Sequence, residues 1–225
     1  PQRDDRHQGY GLTMTSSPDP AAGSGAPRTA SSAPFPAPLR RPDPEVALEY
    51  ATRIFVSGER LDMQTLAAAL GVGRTTLYRW VGGREEVLGD VLASLSREVW
   101  AGCQAHATGE GVERALDTFR RFMDHTSQFP ALRDFARREP GLALKLLMQP
   151  DGPVAESLRD GVAAALRETL PDQHDRISDE IVDILVQVGT ALEWAPVIIG
   201  DPPPLDRAMR LVRALLEVTL RDSAG

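Results

Sequence analysis

The sequence predicts an all-α fold, in which a small N-terminal unit of three helices precedes a larger helical unit. Apolar residues recur every three or four positions in most segments after residue 43, and this is the period of one face of an α-helix. Glycine and proline separate these segments, as at Gly58, Gly71 and Pro130. We therefore expect a tail over residues 1–41, a three-helix domain over 42–88 and a larger helical domain over 89–225.

The first 41 residues predict a disordered tail. They are rich in Pro, Ala, Ser and Gly and show almost no hydrophobic periodicity. A segment of this composition buries too little apolar surface to offset the entropy that it loses on ordering. The first helix is then expected to begin at Asp43-Pro44, because Asp is a good N-cap and proline suits the first helical position.

The stretch from Asp62 to Leu88 predicts two short helices joined by a tight turn, with a third helix starting just after them. Asp62 can cap the first of these helices, because its carboxylate can accept a hydrogen bond from an otherwise unpaired backbone N–H. Gly71 supplies the left-handed geometry that ends this helix. The second helix turns Leu77 and Val81 towards the core.

The outer face of the second helix is unusual for a surface helix. It carries arginines, hydroxyls and aromatic rings, namely Arg74, Thr75, Thr76, Tyr78, Arg79 and Trp80. From Arg60 to Arg84 there are four arginines and one acid, although the whole chain has a net charge of -7. A helix that enters the major groove of DNA needs such a face. Residues 42–88 are therefore predicted to be a helix-turn-helix DNA-binding domain.

The run LAAALGVGRTTLYRWVGGREEVL resembles the DNA-binding domain of the TetR family of transcriptional regulators. The resemblance covers residues 44–90. It implies a recognition helix that contains Thr76-Leu77-Tyr78 and a basic residue, Arg84, at the start of the next helix. Two positions depart from the family pattern: Gly73 replaces a polar capping residue, and Gly82-Gly83 is expected to loosen the entry to the next helix.

This assignment predicts a role for each exposed side chain. Arginine can bond a guanine edge with two hydrogen bonds, and a threonine methyl can contact thymine. The residues expected to contact base edges are Arg74, Thr75, Thr76 and Arg79, with Gln64 of the supporting helix as a further contact. The residues expected to bind phosphates and fix the register are Tyr78, Trp80 and Arg84. An alternative to a purely solvated tail is that Arg28, Arg40 and Arg41 also touch phosphates, as basic arms do.

Residues 89–225 predict an effector-binding and dimerisation domain. Phenylalanine and methionine are concentrated in segment 111–149, and such side chains line adaptable apolar cavities in small helical domains. The expected effector-binding residues are Trp100, Phe119, Phe122, Met123, His125, Phe129, Arg133, Phe135, Leu147, Gln187 and Trp194. The alternative for these side chains is a sealed hydrophobic core.

The last two predicted helices are apolar on two faces each, so each must be buried on two sides. One subunit of this size cannot cover both helices, and a homodimer that packs them as a four-helix bundle can. The expected dimerisation residues are Ile181, Ile184, Leu185, Val188, Leu192, Met209, Val212 and Leu216. The run VGTALEWAPVIIGDPPPLDRAMRLVRALL also resembles a TetR subgroup named for the repressor QsdR, although Glu193 and Pro196 depart from its pattern.

The sequence thus predicts a homodimeric repressor that binds double-stranded operator DNA and is released from it by a small apolar or amphipathic effector. Two alternatives stay open: a helical enzyme that uses His106, His125 or paired acids, and a DNA-binding dimer with no effector response. No nucleophile–base set, metal-ligand spacing or phosphate-binding loop supports an enzyme, so no cofactor and no metal are expected. Cys103 is the only cysteine and no apolar run approaches about 18 residues, which favours a cytoplasmic protein without a membrane partner.

Overall fold

The computed structural model describes residues 40–172 and 177–222, which form helices and no strands. The helices are α1 (Pro44–Val56), α2 (Met63–Leu70), α3 (Arg74–Val81), α4 (Arg84–His106), α5 (Gly111–Gln128), α6 (Pro130–Arg138), α7 (Pro140–Met148), α8 (Pro153–Thr169), α9 (Asp179–Ile199) and α10 (Leu205–Asp222). Most of the predicted tail, including Arg28, lies outside the described residues. At its end, Arg40 pairs with Glu45 and Glu49 of α1 at 3.1 and 3.3 Å.

The first helices begin and end where the sequence predicts. Asp43 Oδ1 accepts a hydrogen bond from the backbone N–H of Val46 at 2.8 Å. Asp62 Oδ1 accepts one from the backbone N–H of Thr65 at 2.7 Å. Gly71 ends α2 with a left-handed φ of 68°. Local capping chemistry therefore fixes the geometry of the helix-turn-helix.

Two hydrophobic cores hold the helices together. The first core joins α1, α2 and α3 to the N-terminal half of α4, to α6 and α7, to Val154 at the start of α8 and to the C-terminal end of α9. The second core joins the C-terminal half of α4 to α5, α8, α9 and α10. Helices α4 and α9 therefore run through both cores, and the first core crosses residue 88, the predicted domain boundary.

Helix α9 passes through Pro196 and ends only at Gly200, whose φ is 95°. An 18-residue window of α9 has a mean hydropathy of 1.5, so its length and composition alone would allow it to cross a membrane. This differs from the expectation that no apolar run approaches that length. The helix packs against α5, α6, α7, α8 and α10, and a central core helix has the same composition.

Candidate DNA-binding surface and ligand cavity

Helix α3 presents the predicted DNA-binding side chains on one face. Leu77 is fully buried and holds α3 against α1 and α2. The side chains around it that are exposed are Arg74, Thr75, Tyr78 and Arg79, while Thr76 and Trp80 are half-buried and Gln64 is exposed on α2. Among the described residues, neither Arg74 nor Arg79 forms an ion pair or a side-chain hydrogen bond. Both guanidinium groups are therefore available to a ligand.

The turn between α3 and α4 uses both of its glycines. Gly82 has a φ of 71°, which would strain any residue with a side chain. The backbone N–H of Gly83 donates to Glu86 Oε2 at 3.0 Å, so Glu86 folds back and caps the start of α4. A capping hydrogen bond therefore holds the turn that was expected to be loose, and Gly73 gives α3 no side-chain cap, as predicted.

Arg84 points into the protein rather than towards the DNA-binding face. Its Nε donates to the Leu61 carbonyl at 2.7 Å, and its Nη1 and Nη2 donate to Glu139 at 2.8 and 2.6 Å. Arg60 also lies 3.6 Å from Glu139. A planar guanidinium fits a carboxylate in this two-pronged way. Arg84 therefore pairs with Glu139 rather than pointing towards a phosphate as predicted. This pair connects the start of α4 to the junction of α6 and α7.

A double-mutant cycle on Arg84→Met and Glu139→Gln is expected to give a coupling free energy of about 1–2 kcal/mol, because both groups are largely shielded and the bond is charge-assisted. Arg84 holds the pKa of Glu139 below its usual 4.5. The coupling is therefore present at neutral pH and is lost as the pH falls below about 4.5 and through the lowered pKa. Urea unfolding of the four proteins measures it.

The exposed pair of Glu85 and Lys145, which joins the same helices α4 and α7, is the matched control. Exposed ion pairs contribute about 0–1 kcal/mol. The double-mutant cycle on Glu85→Gln and Lys145→Met should therefore give a smaller coupling free energy. A value as large as that of the Arg84 and Glu139 pair would contradict a special role for Arg84.

A cavity of about 390 Å³ lies among helices α4 to α10, and Val56 of α1 also lines it. The predicted effector-binding residues that line it are Trp100, Phe119, Phe122, Met123, His125, Phe129, Leu147 and Trp194. A shallower groove adjoins it, because both share Glu98, Val99, His125 and Phe129. The cavity therefore has a polar edge where α4 and α5 face each other.

Three predicted effector-binding residues lie away from this cavity. Phe135 belongs to the first core, where its ring meets Phe55 edge-on at a centroid distance of 5.8 Å. Gln187 is exposed on α9, and Arg133 is half-buried on α6 outside the lining. The faces of α6 and α9 that meet the cavity carry Leu132, Val186 and Thr190 instead. The predicted pocket roles of Arg133, Phe135 and Gln187 are therefore not supported by their positions.

The indole of Trp100 forms one rigid wall of the cavity. It stacks on Phe122 with ring centroids 4.1 Å apart and meets Phe119 edge-on at 5.9 Å. Its other face lies on Gly161 of α8, where a Cβ atom would come within 2.5 Å of three ring atoms. Only glycine allows this approach, so Gly161 and Phe122 hold the indole between them.

The cavity also contains polar groups that the sequence reasoning did not assign to it. Glu193 is 3% exposed, and burial raises the pKa of its carboxyl group to about 8. Thr126 Oγ1 lies 2.5 Å from Glu193 Oε1. Ser96 Oγ and Trp100 Nε1 are buried without a hydrogen-bond partner among the described residues. The sequence does carry a signal for this acid, because Glu193 lies in the C-terminal half of the apolar helix α9, three residues after Thr190 and directly before Trp194.

The predicted dimerisation residues divide into two groups. Leu185, Val212 and Leu216 are at most 5% exposed and pack inside the second core, so they do not lie on the outward face of these helices. The others are exposed or half-buried, namely Ile181, Ile184, Val188, Leu192 and Met209. Helix α10 turns a different stripe outwards, with Leu211 and Val218 43% and 52% exposed. The outward apolar face therefore combines one stripe of α9 with Leu211, Leu215 and Val218 of α10.

No group of three or more His, Cys, Asp or Glu side chains is arranged to hold a metal within the described residues. Cys103 is buried, and burial raises the pKa of its thiol. A thiol with a raised pKa is a weak nucleophile at neutral pH.

Comparison with known proteins agrees with the predicted family. The family model described as the tetracyclin repressor-like C-terminal domain matches residues 110–217. The structure of the R. erythropolis transcriptional repressor QsdR from the TetR family is 32% identical, covers 77% of this chain and 94% of that chain, and superposes with a TM-score of 0.72.

A second solved structure shares the fold. It is the TetR family repressor AlkX from Dietzia sp. strain DQ12-45-1b, which is implicated in biodegradation of n-alkanes; it is 19% identical, covers 80% of this chain and 97% of that chain, and has a TM-score of 0.56. Among curated proteins no match is found. The similarity to QsdR and the geometry of α3 together show that the chain belongs to the TetR family, a family of DNA-binding transcriptional regulators and not of enzymes.

Proposed function

We propose that the protein is a cytoplasmic homodimeric repressor, that α3 reads an operator in the major groove, and that a small apolar or amphipathic effector in the cavity releases it. The observation that carries the proposal is the pair of exposed arginines, Arg74 and Arg79, which have no acidic partner among the described residues of a chain with a net charge of -7. A basic face on an acidic protein directs that face to phosphates and base edges.

On the operator, Arg74, Thr75, Thr76 and Arg79 would contact base edges, with Gln64 beside them. Tyr78 and Trp80 would bind phosphates and fix the register. Arg84 would position the start of α4 through Glu139 rather than bind DNA.

The homodimer is supported by the outward apolar face of α9 and α10. Ile184, Leu211 and Val218 lie on it with 36–52% of their surface exposed. Apolar stripes at helical spacing on two neighbouring helices fit a four-helix bundle made with a second copy. Two recognition helices would then meet successive major grooves of a near-palindrome.

A route from the cavity to α3 runs through α6 and α7. Leu132 of α6 and Leu147 of α7 line the cavity, and Glu139 between these helices binds Arg84 at the start of α4. A ligand that shifts α6 or α7 would therefore move α4 and change the separation of two recognition helices. By linkage, the effector weakens operator binding by the same free energy by which the operator weakens effector binding, typically about 1–3 kcal/mol.

Replacing Arg74 with Ala is expected to weaken operator binding by about 1–3 kcal/mol and to relax specificity at one base pair, because a two-bond contact with a guanine edge is lost. The measurement is binding to the DNA that flanks the coding sequence, or to a duplex obtained by selection, as a function of salt. Two chains should bind each duplex.

Arg97→Ala is the matched control, because Arg97 is also exposed but lies about 20 Å along α4 from Arg84. It should leave binding unchanged. An equal loss on every operator variant would assign Arg74 to the backbone instead. Specific binding that no cavity ligand alters would favour the alternative of a DNA-binding dimer without an effector.

A further inference from the structure

The charges around the cavity select among ligands. Its titratable lining residues are Glu98 on α4, His125 on α5 and Glu193 on α9. Among the described residues that line it there is no lysine or arginine, and α6, α7, α8 and α10 contribute no titratable side chain. A carboxylate or phosphate ligand would face acids without a fixed positive charge to balance it. Burying such an unpaired charge is unfavourable, so the cavity disfavours anions.

The hydrogen bonds of Glu193 leave one oxygen for a ligand. Thr126 Oγ1 lies 2.8 Å from the Phe122 carbonyl and 2.5 Å from Glu193 Oε1. A threonine hydroxyl has one proton, and the carbonyl can only accept it. The protonated Glu193 therefore donates to Thr126 Oγ1. Glu193 Oε2 has no partner among the described residues, so it is an acceptor that a ligand can use.

The aromatic walls of the same cavity suit a cation with an apolar body. The aromatic rings that line the cavity belong to Trp100, Phe119, Phe122, Phe129 and Trp194. Ring faces attract ammonium groups, and more strongly where water is excluded. Ser96 Oγ, which has no partner among the described residues, can accept a further N–H bond.

We propose that the effector is an amphipathic amine, whose apolar body lies against the aromatic walls and whose nitrogen pairs with Glu193. This rests on the proposed function, since it names the chemical class of the ligand for the same cavity. An alkylamine is an ammonium ion at neutral pH. When it binds, the O–H bond of Glu193 breaks and the proton passes to solvent, which leaves an ammonium beside a carboxylate. An amine that arrives unprotonated takes this proton itself.

Three probes of one shape test the proposal: 4-phenylbutylamine, 4-phenylbutanol and 4-phenylbutanoate. Titration calorimetry on the full chain at pH 8 is expected to show the amine binding at least about tenfold more tightly than the alcohol, because a hydrogen bond to a charged group is added. The butanoate should bind most weakly. In Glu193→Gln the preference for the amine should disappear while the alcohol binds as before.

The proton released on binding gives an independent readout. Well below the pKa of Glu193, which is about 8, each bound amine should release about one proton, so its affinity rises about tenfold per pH unit near pH 6 to 7 and less steeply as the pH approaches 8. The alcohol should release none. Titrations in two buffers with different ionisation enthalpies measure this number. Because His125 also lines the cavity, His125→Asn is needed as a control, and it should keep the proton release that Glu193→Gln abolishes.

The outcomes separate this proposal from the one that it rests on. If no probe binds, the amine proposal fails together with the effector part of the proposed function, whereas operator binding is tested separately by Arg74→Ala. If all three bind with similar affinity, or if Glu193→Gln leaves the order of affinities unchanged, only the amine proposal fails. Thermal unfolding of each variant shows that a lost preference does not come from a lost fold.

Discussion

Glu193→Gln is expected to raise the free energy of unfolding, and the gain should grow as the pH rises from about 4.5 to about 8. The carboxyl group has a usual pKa of 4.5, and burial raises it to about 8 in the folded chain. Between these values the folded state holds a proton that the unfolded state has lost, so the stability of the wild type falls with increasing pH. Glutamine keeps the shape and the bond with Thr126 without this cost. The gain at pH 8 should be on the order of 2–4 kcal/mol.

Urea unfolding at a series of pH values measures this gain. At pH 4 and below the two proteins should nearly coincide, because the carboxyl group is protonated in both states. Glu180→Gln removes an exposed acid from the first turn of the same helix, and it controls for the loss of one negative charge. A gain of the same size and pH dependence in that control would rule out burial as the cause.

Gly161→Ala is expected to destabilise the protein by about 1–3 kcal/mol and to weaken ligand binding. A Cβ atom at this position would lie 2.5 Å from three atoms of the Trp100 ring, so the indole must move. The ring of Phe122 stacks on the indole with centroids 4.1 Å apart. A shift of the indole therefore also moves Phe122, and both side chains line the cavity. Overpacking of this kind costs more than the gain in helix propensity from glycine to alanine.

Gly102→Ala is the matched control for this change. Gly102 lies in α4, and a Cβ atom there would meet nothing within 4 Å. It should stabilise the protein by about 0.5–1 kcal/mol, which is the usual preference of a helix for alanine. Thermal or urea unfolding compares the two variants. If Gly161→Ala were stabilising as well, Trp100 would not be held against α8 as described.

The parts of the fold that the sequence predicted well depend on neighbours within one turn of chain. The caps at Asp43 and Asp62, the left-handed Gly71 and the start of α6 at Pro130 are such cases. The exposed face of α3 follows from the same short-range logic, since burying Leu77 fixes which side chains point outwards. Local spacing was therefore enough to find the candidate DNA-binding surface.

The structure departs from the sequence predictions where a side chain's partner comes from a distant part of the chain. Arg84 pairs with Glu139, which is 55 residues away in the sequence, and Phe135 packs against Phe55 of α1. Helices α9 and α10 are apolar on two faces each, and their spacing alone does not tell which face turns inwards. Spacing therefore assigns Val212 and Leu216 to the dimer interface, whereas they lie in the second core. Glu193 departs from the family pattern in the sequence, but its burial depends on helix packing that periodicity does not show.

The positions of the three tryptophans give the protein intrinsic optical reporters for both of its candidate sites. Trp80 is half-buried on the DNA-binding face, whereas Trp100 and Trp194 are 5% and 4% exposed at the cavity. Indole emission shifts to longer wavelength as a ring gains contact with water. The long-wavelength edge of the emission spectrum is therefore expected to come from Trp80, and the short-wavelength edge from Trp100 and Trp194. Operator binding and ligand binding are thus expected to affect separate parts of the natural emission, and neither measurement needs an attached dye.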